Sequence, residues 1–323
     1  INLPSSGSVT VDFSAFGGGN AVTATLEGVT WTATYALSDG LDAANLNVAV
    51  TATDEAGNTT TATDNSNATV DTTVPVVSAA NIDLSGASGT GGTFKIGDTV
   101  TATWDNTASG DNNGDIASVS FDFTEFGGGP TVVTSASSET WSATLTVLAG
   151  TIDANDRNVS VTATDTAGNV SATTQDDENA TVDNVTPTVT AANISVSGAT
   201  GNPNNSVFKI GDTVTVEWDD TGTGDNNADT IDGATVDFSD FGASAPVAAT
   251  NSAGVWTATY EYTAGTIAGS NYGVSITVTD NAGNITSEDD DEQLSLDNVQ
   301  TSEPAGIALE DDDNSGSTAD TIT

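Results

Sequence analysis

The sequence contains no histidine and no cysteine, and only three basic residues, Lys95, Arg157 and Lys209, in 323 positions. Without histidine or cysteine, Ser/His and Cys/His catalysis, zinc fingers, iron–sulfur clusters and disulfides are excluded. A net charge of −43 excludes a nucleic-acid binder, because almost nothing in the chain can neutralise phosphates. The same charge argues against an anionic membrane surface as a partner.

Long apolar runs are also missing. No run approaches the roughly 20 apolar residues of a membrane span, and the first residues, Ile-Asn-Leu-Pro, are not a signal peptide. We therefore expect any targeting or anchoring segment to lie outside this sequence. At 36% apolar residues the chain can still bury a core, and the periodicity of those residues argues against intrinsic disorder.

What the chain does have is an internal repeat of about 112 residues. Segments of the type Trp-(Thr/Ser)-Ala-Thr begin at Trp31, Trp141 and Trp256. Segments of the type Thr-Asp-Xaa-Ala-Gly-Asn carry their aspartate at Asp54, Asp165 and Asp280. The repeats predict an incomplete module one (1–71), module two (72–183) and module three (184–297). Residues 298–323 are predicted to form a linker and the first strands of a further module, or a donor segment.

Within each repeat, apolar and polar residues alternate, as in the stripe Val100, Ala102, Trp104. This alternation is typical of antiparallel sheets with one buried face. Clusters of Gly, Asn, Asp and Ser punctuate the stripes at the spacing that turns require, and no stretch has helical periodicity. The predicted fold is all-β, with tandem immunoglobulin-like antiparallel β-sandwiches in a linear array.

In module two the pattern predicts strands near 76–84, 99–105, 117–123, 131–134, 140–148, 158–164 and 170–174, the last with an extension to 182. On an immunoglobulin-like path, the loop after the second strand and the turn at 165–169 lie at the end that receives the incoming linker. In module one, Val9, Val11 and Phe13 already match the third strand. We therefore expect the first two strands of this sandwich to be missing from the chain.

The Asp-Xaa-(Thr/Val)-Xaa-Pro linkers, the Thr-Asp-Xaa-Ala-Gly-Asn turns and the Gly-Asp-Thr-Val-Thr strand starts resemble the bacterial Ig-like repeats of giant secreted adhesins of the Bap and RTX types. The resemblance covers nearly all of the chain. It implies an extracellular stalk of linked modules that is often stiffened by Ca²⁺ at the module junctions.

The most distinctive acidic segment is the loop after the second strand. It runs from Asp105 to Asp115 in module two and from Asp219 to Asp229 in module three, and both copies contain Asp-Xaa-Asn-Xaa-Asp. Alternating oxygen ligands in a tight loop suit a hard cation such as Ca²⁺. Neither loop has the closing Glu of an EF-hand, and a solvated Asp/Asn turn without metal is the alternative.

Two further aspartates recur near these loops. The aspartate of the Asp-Xaa-Ala-Gly-Asn turn either only shapes a hairpin or also binds the metal. The aspartate before each linker, as in Asp71, either only forms a turn or binds at the junction. Like charges that converge there repel unless a cation is bound. The predicted Ca²⁺ ligands are Asp71, Asp105, Asp111, Asn113, Asp115, Asp165, Asp183, Asp219, Asp225, Asn227, Asp229 and Asp280.

Two acidic runs are weaker candidates. The run at 311–316 has EF-hand-like spacing at its first positions, but Ile322 stands where the closing Glu should be. The run at 288–292 is typical of a solvated face.

The repeated acidic residues form no unique cluster of the kind that glycoside hydrolysis uses, so we predict that the chain is not an enzyme. We predict a structural extender of a secreted cell-surface adhesin or extracellular filament. Its predicted partners are neighbouring modules or head-to-tail copies of itself, and an unknown surface target. Two explanations of the incomplete ends stay open: residues 1–323 are a window of a longer array, or the tail of one copy completes the first sandwich of the next by strand donation.

Two alternatives stay open: a surface-layer lattice protein, and a carbohydrate- or ice-binding module. All five tryptophans occupy inward strand positions of the pattern, which disfavours the second alternative.

Overall fold

The computed structural model describes residues 7–202 and 206–301. These residues form β-strands, mostly in antiparallel sheets, together with short 3-10 turns, which confirms the predicted all-β, immunoglobulin-like fold. The chain divides into two compact units, unit one at Ile1–Val185 and unit two at Thr186–Thr323.

Module one is built from eight strands in its described part. They are β1 (Ser8–Asp12), β2 (Val22–Thr23), β3 (Thr25–Glu27), β4 (Thr30–Thr32), β5 (Asp42–Leu46), β6 (Ala49–Thr53), β7 (Thr59–Thr63) and β8 (Ala68–Asp71), with a 3-10 turn at Ser14–Phe16. They form a four-stranded sheet in the order β2-β1-β6-β7, a β3–β4 hairpin and a β5–β8 pair.

Module two has a buried hydrophobic core of its own. Its strands are β9 (Ile82–Ser85), β10 (Phe94–Lys95), β11 (Thr99–Asp105), β12 (Ile116–Asp122), β13 (Pro130–Val133), β14 (Thr140–Thr146), β15 (Asp153–Arg157), β16 (Ser160–Asp165), β17 (Thr174–Gln175) and β18 (Ala180–Asp183). The sheets have the orders β14-β11-β9, β10-β18-β15 and β13-β12-β16-β17. The 3-10 turns lie at Ala79–Asn81, Thr90–Gly92 and Thr124–Phe126.

Module three repeats this plan within unit two. Its strands are β19 (Ile194–Ser197), β20 (Val207–Lys209), β21 (Thr213–Asp219), β22 (Ile231–Asp237), β23 (Val247–Ala248), β24 (Thr250–Ser252), β25 (Val255–Glu261), β26 (Ala268–Tyr272), β27 (Ser275–Asp280), β28 (Ile285–Asp289) and β29 (Leu294–Asp297). The sheets have the orders β19-β21-β25-β24, β20-β29-β26 and β23-β22-β27-β28. The 3-10 turns lie at Ala191–Asn193 and Ser239–Phe241.

The alternating stripes point into the cores of modules two and three. Trp104 is fully buried and pairs in register with Trp141 on the neighbouring strand. Trp218 and Trp256 make the same pair in module three. Four of the five tryptophans are therefore buried as the pattern predicts, while Trp31 in module one is partly exposed.

The predicted last strand of module two is not continuous. β17 pairs with β16, whereas β18 joins the other sheet, where it runs parallel to β10 and antiparallel to β15. Periodicity does not reveal β15, because its sequence Asp-Ala-Asn-Asp-Arg does not alternate and its register shifts at a bulge.

Candidate metal centre

The turn that follows β16 is built around one carboxylate. Asp165 Oδ1 accepts hydrogen bonds from the backbone N–H groups of Ala167, Gly168 and Asn169 at 2.8–2.9 Å. Gly168 has a φ of +97°, which L side chains adopt only with strain. The Asp-Xaa-Ala-Gly-Asn motif thus forms the predicted turn, and Asp280 holds its own turn in the same way. A metal-binding role for these aspartates stays a prediction.

The incoming linker of module two is fixed by side chains of the loop that follows β11. Asn113 Oδ1 accepts the N–H of Val76 at 2.8 Å, and its Nδ2 donates to the Val76 carbonyl at 2.9 Å. Asn169 Nδ2 donates to the carbonyl of Asp71 at 3.2 Å. The loop and the 165–169 turn therefore both lie at the end that receives the linker, as the sequence predicts.

Three carboxylates from three separate segments meet at this junction. Asp71 ends β8, Asp115 precedes β12 and Asp165 ends β16, and one oxygen of each lies within 4.8 Å of the others. The N–H of Thr166 donates to the carbonyl of Asp115 at 2.9 Å, which holds two of these segments together. Asp42 pairs with Asp71 across β5 and β8 and adds a fourth acidic residue.

The charges of this cluster perturb one another. Burial raises the pKa of Asp115, and the charges of Asp165 and Asp71, a hydrogen bond with Asp71 and the charge of Asp42 raise it further. For Asp165, burial works in the same direction, but the hydrogen bonds from Asn169 and the turn backbone outweigh it and lower its pKa. A carboxylate with a lowered pKa, Asp165, thus lies beside one with a raised pKa, Asp115.

A cation fits this arrangement. Among the described residues, the ion pairs are Lys95–Asp98 and Lys209–Asp212, so neither lysine is paired with the cluster. A pocket of about 470 Å³ opens beside it, lined in part by Asp42, Asp71 and Asp115. Carboxylate and carbonyl oxygens without nitrogen or sulfur ligands are the donor set of a hard divalent cation. The three carboxylates could therefore hold a metal ion.

Three of the predicted ligands in the same loop have structural partners. Asp105 Oδ1 accepts the N–H of Thr107 at 2.8 Å in a local turn. The carboxylate of Asp111 accepts Trp104 Nε1 at 2.7 Å, together with Ser78 N–H and Asn81 Nδ2, both at 2.8 Å. Burial alone would raise the pKa of Asp111, but these bonds lower it.

Asp105, Asp111 and Asn113 therefore hold the loop and the linker in this structure, and their role as Ca²⁺ ligands stays a prediction.

Unit two repeats the structural bonds. Asp219 accepts Thr221 N–H, Asp225 accepts Trp218 Nε1 at 2.7 Å, and Asn227 exchanges two hydrogen bonds with the backbone of Thr188. Asp229 and Asp280 belong to this unit, whereas Asp183 belongs to unit one. The ligand set at the second junction stays a prediction.

The linker aspartates also form the expected turns. Asp71, Asp183 and Asp297 each accept, at 3.0 Å, the N–H of the residue two positions later. Asp42 is absent from the predicted ligand set. The repeat does contain a signal for it, because Asp153 follows Asp42 at the same 111-residue offset that separates Asp54 from Asp165.

Of the two acidic runs, residues 311–316 lie outside the described residues. In the run at 288–292, four residues are exposed, as predicted. The exception is Asp290, which accepts the N–H of Val274 at 2.6 Å and is partly buried.

Comparisons with known proteins find similarity at the level of structure. No protein-family model and no curated protein matches the sequence. A 1.5-MDa bacterial ice-binding adhesin is 20% identical, with 78% of this chain and 74% of that chain covered and a TM-score of 0.35. The Escherichia coli adhesin FdeC is 17% identical, with 79% and 74% covered and a TM-score of 0.31. A tetra-tandem repeat from the extending region of a large adhesion protein is 20% identical, with 92% and 68% covered and a TM-score of 0.23.

In the described ranges, no helix has the length and apolar character needed to cross a membrane.

Proposed function

We propose that this chain is a stalk segment of a secreted bacterial cell-surface adhesin or extracellular filament, and that Ca²⁺ stiffens its module junctions. The observation that carries the proposal is the junction of modules one and two. There a linker clamped by Asn113 and Asn169 lies beside three converging carboxylates.

The mechanism is mechanical. The side chains of Asn113 and Asn169 form hydrogen bonds with linker backbone that would otherwise be solvated. The linker therefore loses freedom to bend. The carboxylates of Asp71, Asp115 and Asp165 come from module one, the loop before β12 and the turn after β16. In the absence of a cation, their repulsion favours separation of these segments. Bound Ca²⁺ supplies a compensating charge and oxygen coordination that reverse the sign of this interaction.

The proposal predicts that Ca²⁺ stabilises the chain and reduces bending at this junction. A ligand that binds only the folded state adds about 2.7 kcal/mol at a hundredfold excess over its Kd. Melting curves and small-angle X-ray scattering in Ca²⁺ and in chelator measure the two effects. Identical curves and profiles in both buffers would contradict the proposal.

Replacement of Asp115 tests which residues hold the ion. Asp115→Asn should weaken Ca²⁺ binding and reduce the Ca²⁺-dependent rise in Tm, because it removes one of the three clustered charges. Asp177→Asn makes the same charge change at an exposed residue outside the cluster and should leave both unchanged. Calorimetric titration reports affinity and stoichiometry, and equal values for the two variants would reject the assignment.

Head-to-tail association with copies of itself is the proposed partner interaction. The sequence of 305–323 resembles the first strands of modules two and three, so a tail could add strands to module one of another copy. Such a contact builds an open filament rather than a ring. Light scattering should detect concentration-dependent assembly of 1–323 with Ca²⁺, and a chain that ends at Val299 should stay monomeric. A monomeric full chain, or assembly of the shortened one, would exclude donation by this tail.

A further inference from the structure

The loop after β11 contains the sole Asn-Gly dipeptide of the sequence, Asn113-Gly114. In module three the corresponding dipeptide is Asn227-Ala228. Both asparagines clamp the linker that enters their module, so the two loops differ in the residue that follows the clamp. Glycine has no Cβ atom to shield its backbone nitrogen. A nitrogen in this position can attack the side-chain amide of the preceding asparagine.

The backbone nitrogen of Gly114 is open to reaction. Its N–H has no hydrogen-bond partner among the described residues, and the residue is exposed. Apart from its chain neighbours, no described heavy atom lies within 4 Å of the place that a Cβ atom at Gly114 would occupy. Water and hydroxide therefore have access to this nitrogen, and an alanine fits at the same place, where module three has Ala228.

The side chain of Asn113, by contrast, is held by the linker clamp. Its Oδ1 accepts the N–H of Val76 at 2.8 Å, and its Nδ2 donates to the Val76 carbonyl at 2.9 Å and to Asn106 Oδ1 at 2.8 Å. Attack on Cγ converts the planar amide to a tetrahedral centre and expels Nδ2, so these hydrogen bonds oppose the reaction. The rate of attack therefore depends on how firmly the linker is held.

We propose that Asn113 is a site of spontaneous deamidation and that the linker clamp sets its rate. The nitrogen of Gly114 loses its proton to hydroxide and attacks Cγ of Asn113. The N–Cγ bond forms, the Cγ–Nδ2 bond breaks, and ammonia leaves with a proton taken from water. Water then opens the cyclic imide, at Cγ to give aspartate or at the main-chain carbonyl carbon to give isoaspartate. The net reaction consumes a water molecule, releases ammonia and needs no oxidant or reductant.

Deamidation replaces a hydrogen-bond donor at the linker by a negative charge. The new carboxylate cannot donate to the carbonyl of Val76, so the clamp weakens. The pocket of about 470 Å³ that Asn113 lines is also lined by three acidic residues, Asp42, Asp71 and Asp115. The product therefore increases the repulsion beside the cluster and its attraction for a cation. This link to Ca²⁺ rests on the proposed function of the junction, whereas the deamidation site does not.

The test incubates the full chain in chelator at mildly alkaline pH and follows amide-to-acid conversion at positions 113 and 227 by peptide mapping with mass spectrometry. Asn113 should convert at least about tenfold faster than Asn227, a difference in barrier of about 1.4 kcal/mol. Gly114→Ala should slow position 113 to the rate of Asn227, and Ala228→Gly should speed position 227. Equal rates at the two positions, or a rate at 113 that Gly114→Ala leaves unchanged, would overturn the proposal.

A second pair of variants tests the control by the clamp. Val76→Pro removes the N–H that Asn113 Oδ1 accepts, and it should speed deamidation at position 113 about fivefold, the effect of losing one hydrogen bond. Thr188→Pro removes the corresponding N–H in module three and should leave position 113 unchanged. If Val76→Pro deamidates at the wild-type rate, the clamp does not set the rate. Such a result leaves the Ca²⁺ proposal standing, because the Asp115→Asn comparison is measured separately.

Discussion

In all three modules an aspartate side chain accepts a hydrogen bond from the backbone of a valine near the start of a core strand, but the burial of this aspartate differs between modules. The pairs are Asp64–Val48, Asp176–Val159 and Asp290–Val274. Burial raises the pKa of Asp176 and of Asp290, whereas hydrogen bonds from Ser66 lower the pKa of Asp64, which is partly exposed. In module two the N–H of Leu84 on β9 donates to Glu178, which places β9 beside this turn. A counterpart of β9 is missing from the described part of module one.

The raised pKa of Asp176 makes a pH prediction. Because the folded state binds this proton more tightly than the unfolded chain, the contribution to stability is complete below the ordinary carboxyl pKa of about 4. It is lost as the pH rises through the raised folded pKa. In chelator, the Tm of the wild type should therefore fall more steeply between pH 4.5 and 7 than that of Asp176→Asn. The variant Glu27→Gln, at an exposed residue of module one, should keep the wild-type slope, and a shared slope in all three proteins would contradict the assignment.

Tyr262 offers a stabilising substitution. Its side chain is fully buried, and its hydroxyl has no hydrogen-bond partner among the described residues. Burial raises its pKa to about 12, so the hydroxyl stays neutral. Since a buried unpaired hydroxyl costs about 1 kcal/mol or more, Tyr262→Phe should raise the free energy of unfolding by about that amount. Urea denaturation measures it. The control Tyr260→Phe, at a partly exposed ring, should change it by less than about 0.5 kcal/mol.

At the scale of elements, the linkers are held by the modules that follow them. Asn113 clamps Val76 in unit one, and Asn227 clamps Thr188 in unit two. Thr174 and Thr286 add hydroxyl bonds to the carbonyls of Val77 and Pro187. Each linker is therefore part of the module C-terminal to it.

Removal of one clamp should loosen only its own linker. Asn113→Ala should speed hydrogen exchange at 73–78 and lower stability by about 1–2 kcal/mol, because two backbone groups of Val76 lose their partner. Asn227→Ala is the matched control, since it should affect 186–190 and leave 73–78 unchanged, as expected for repeat modules that couple to neighbours. If either variant exchanges faster at both 73–78 and 186–190, the two linkers are not held independently.

At the scale of the whole molecule, the main feature is the large excess of negative charge. With 46 acidic and three basic residues, the chain repels itself, and salt shortens the range of that repulsion from about 30 Å at 0.01 M to about 8 Å at 0.15 M. In chelator, Tm should therefore rise with NaCl over this interval. The Ca²⁺-dependent increment should shrink as salt rises, because screening removes part of the repulsion that bound Ca²⁺ relieves. An increment that grows with salt would argue against electrostatic stabilisation at the junction.

Local signals predicted much of the candidate site. The glycine and the paired Asp and Asn of the 165–169 turn specify its backbone, so Asp165 could be placed without a structure. The loop after β11 was harder, because Asp111 and Asp115 belong to one acidic motif. Only the packed structure distinguishes them: Asp111 faces the indole of Trp104, whereas Asp115 faces Asp165.

The sequence by itself determined the repeat, the all-β class and the inward face of each stripe, because alternation and turn chemistry act over a few residues. Only the tertiary structure decided which distant strands pair. The parallel contact between β10 and β18 joins Phe94 to Val182 across almost the whole of module two. A two-residue strand such as β10 is too short for its sequence periodicity to predict it. Its pairing depends on the sheets that position it. In module one, Trp31 pairs in register with Leu26 on the three-residue strand β3, and its side chain is partly exposed.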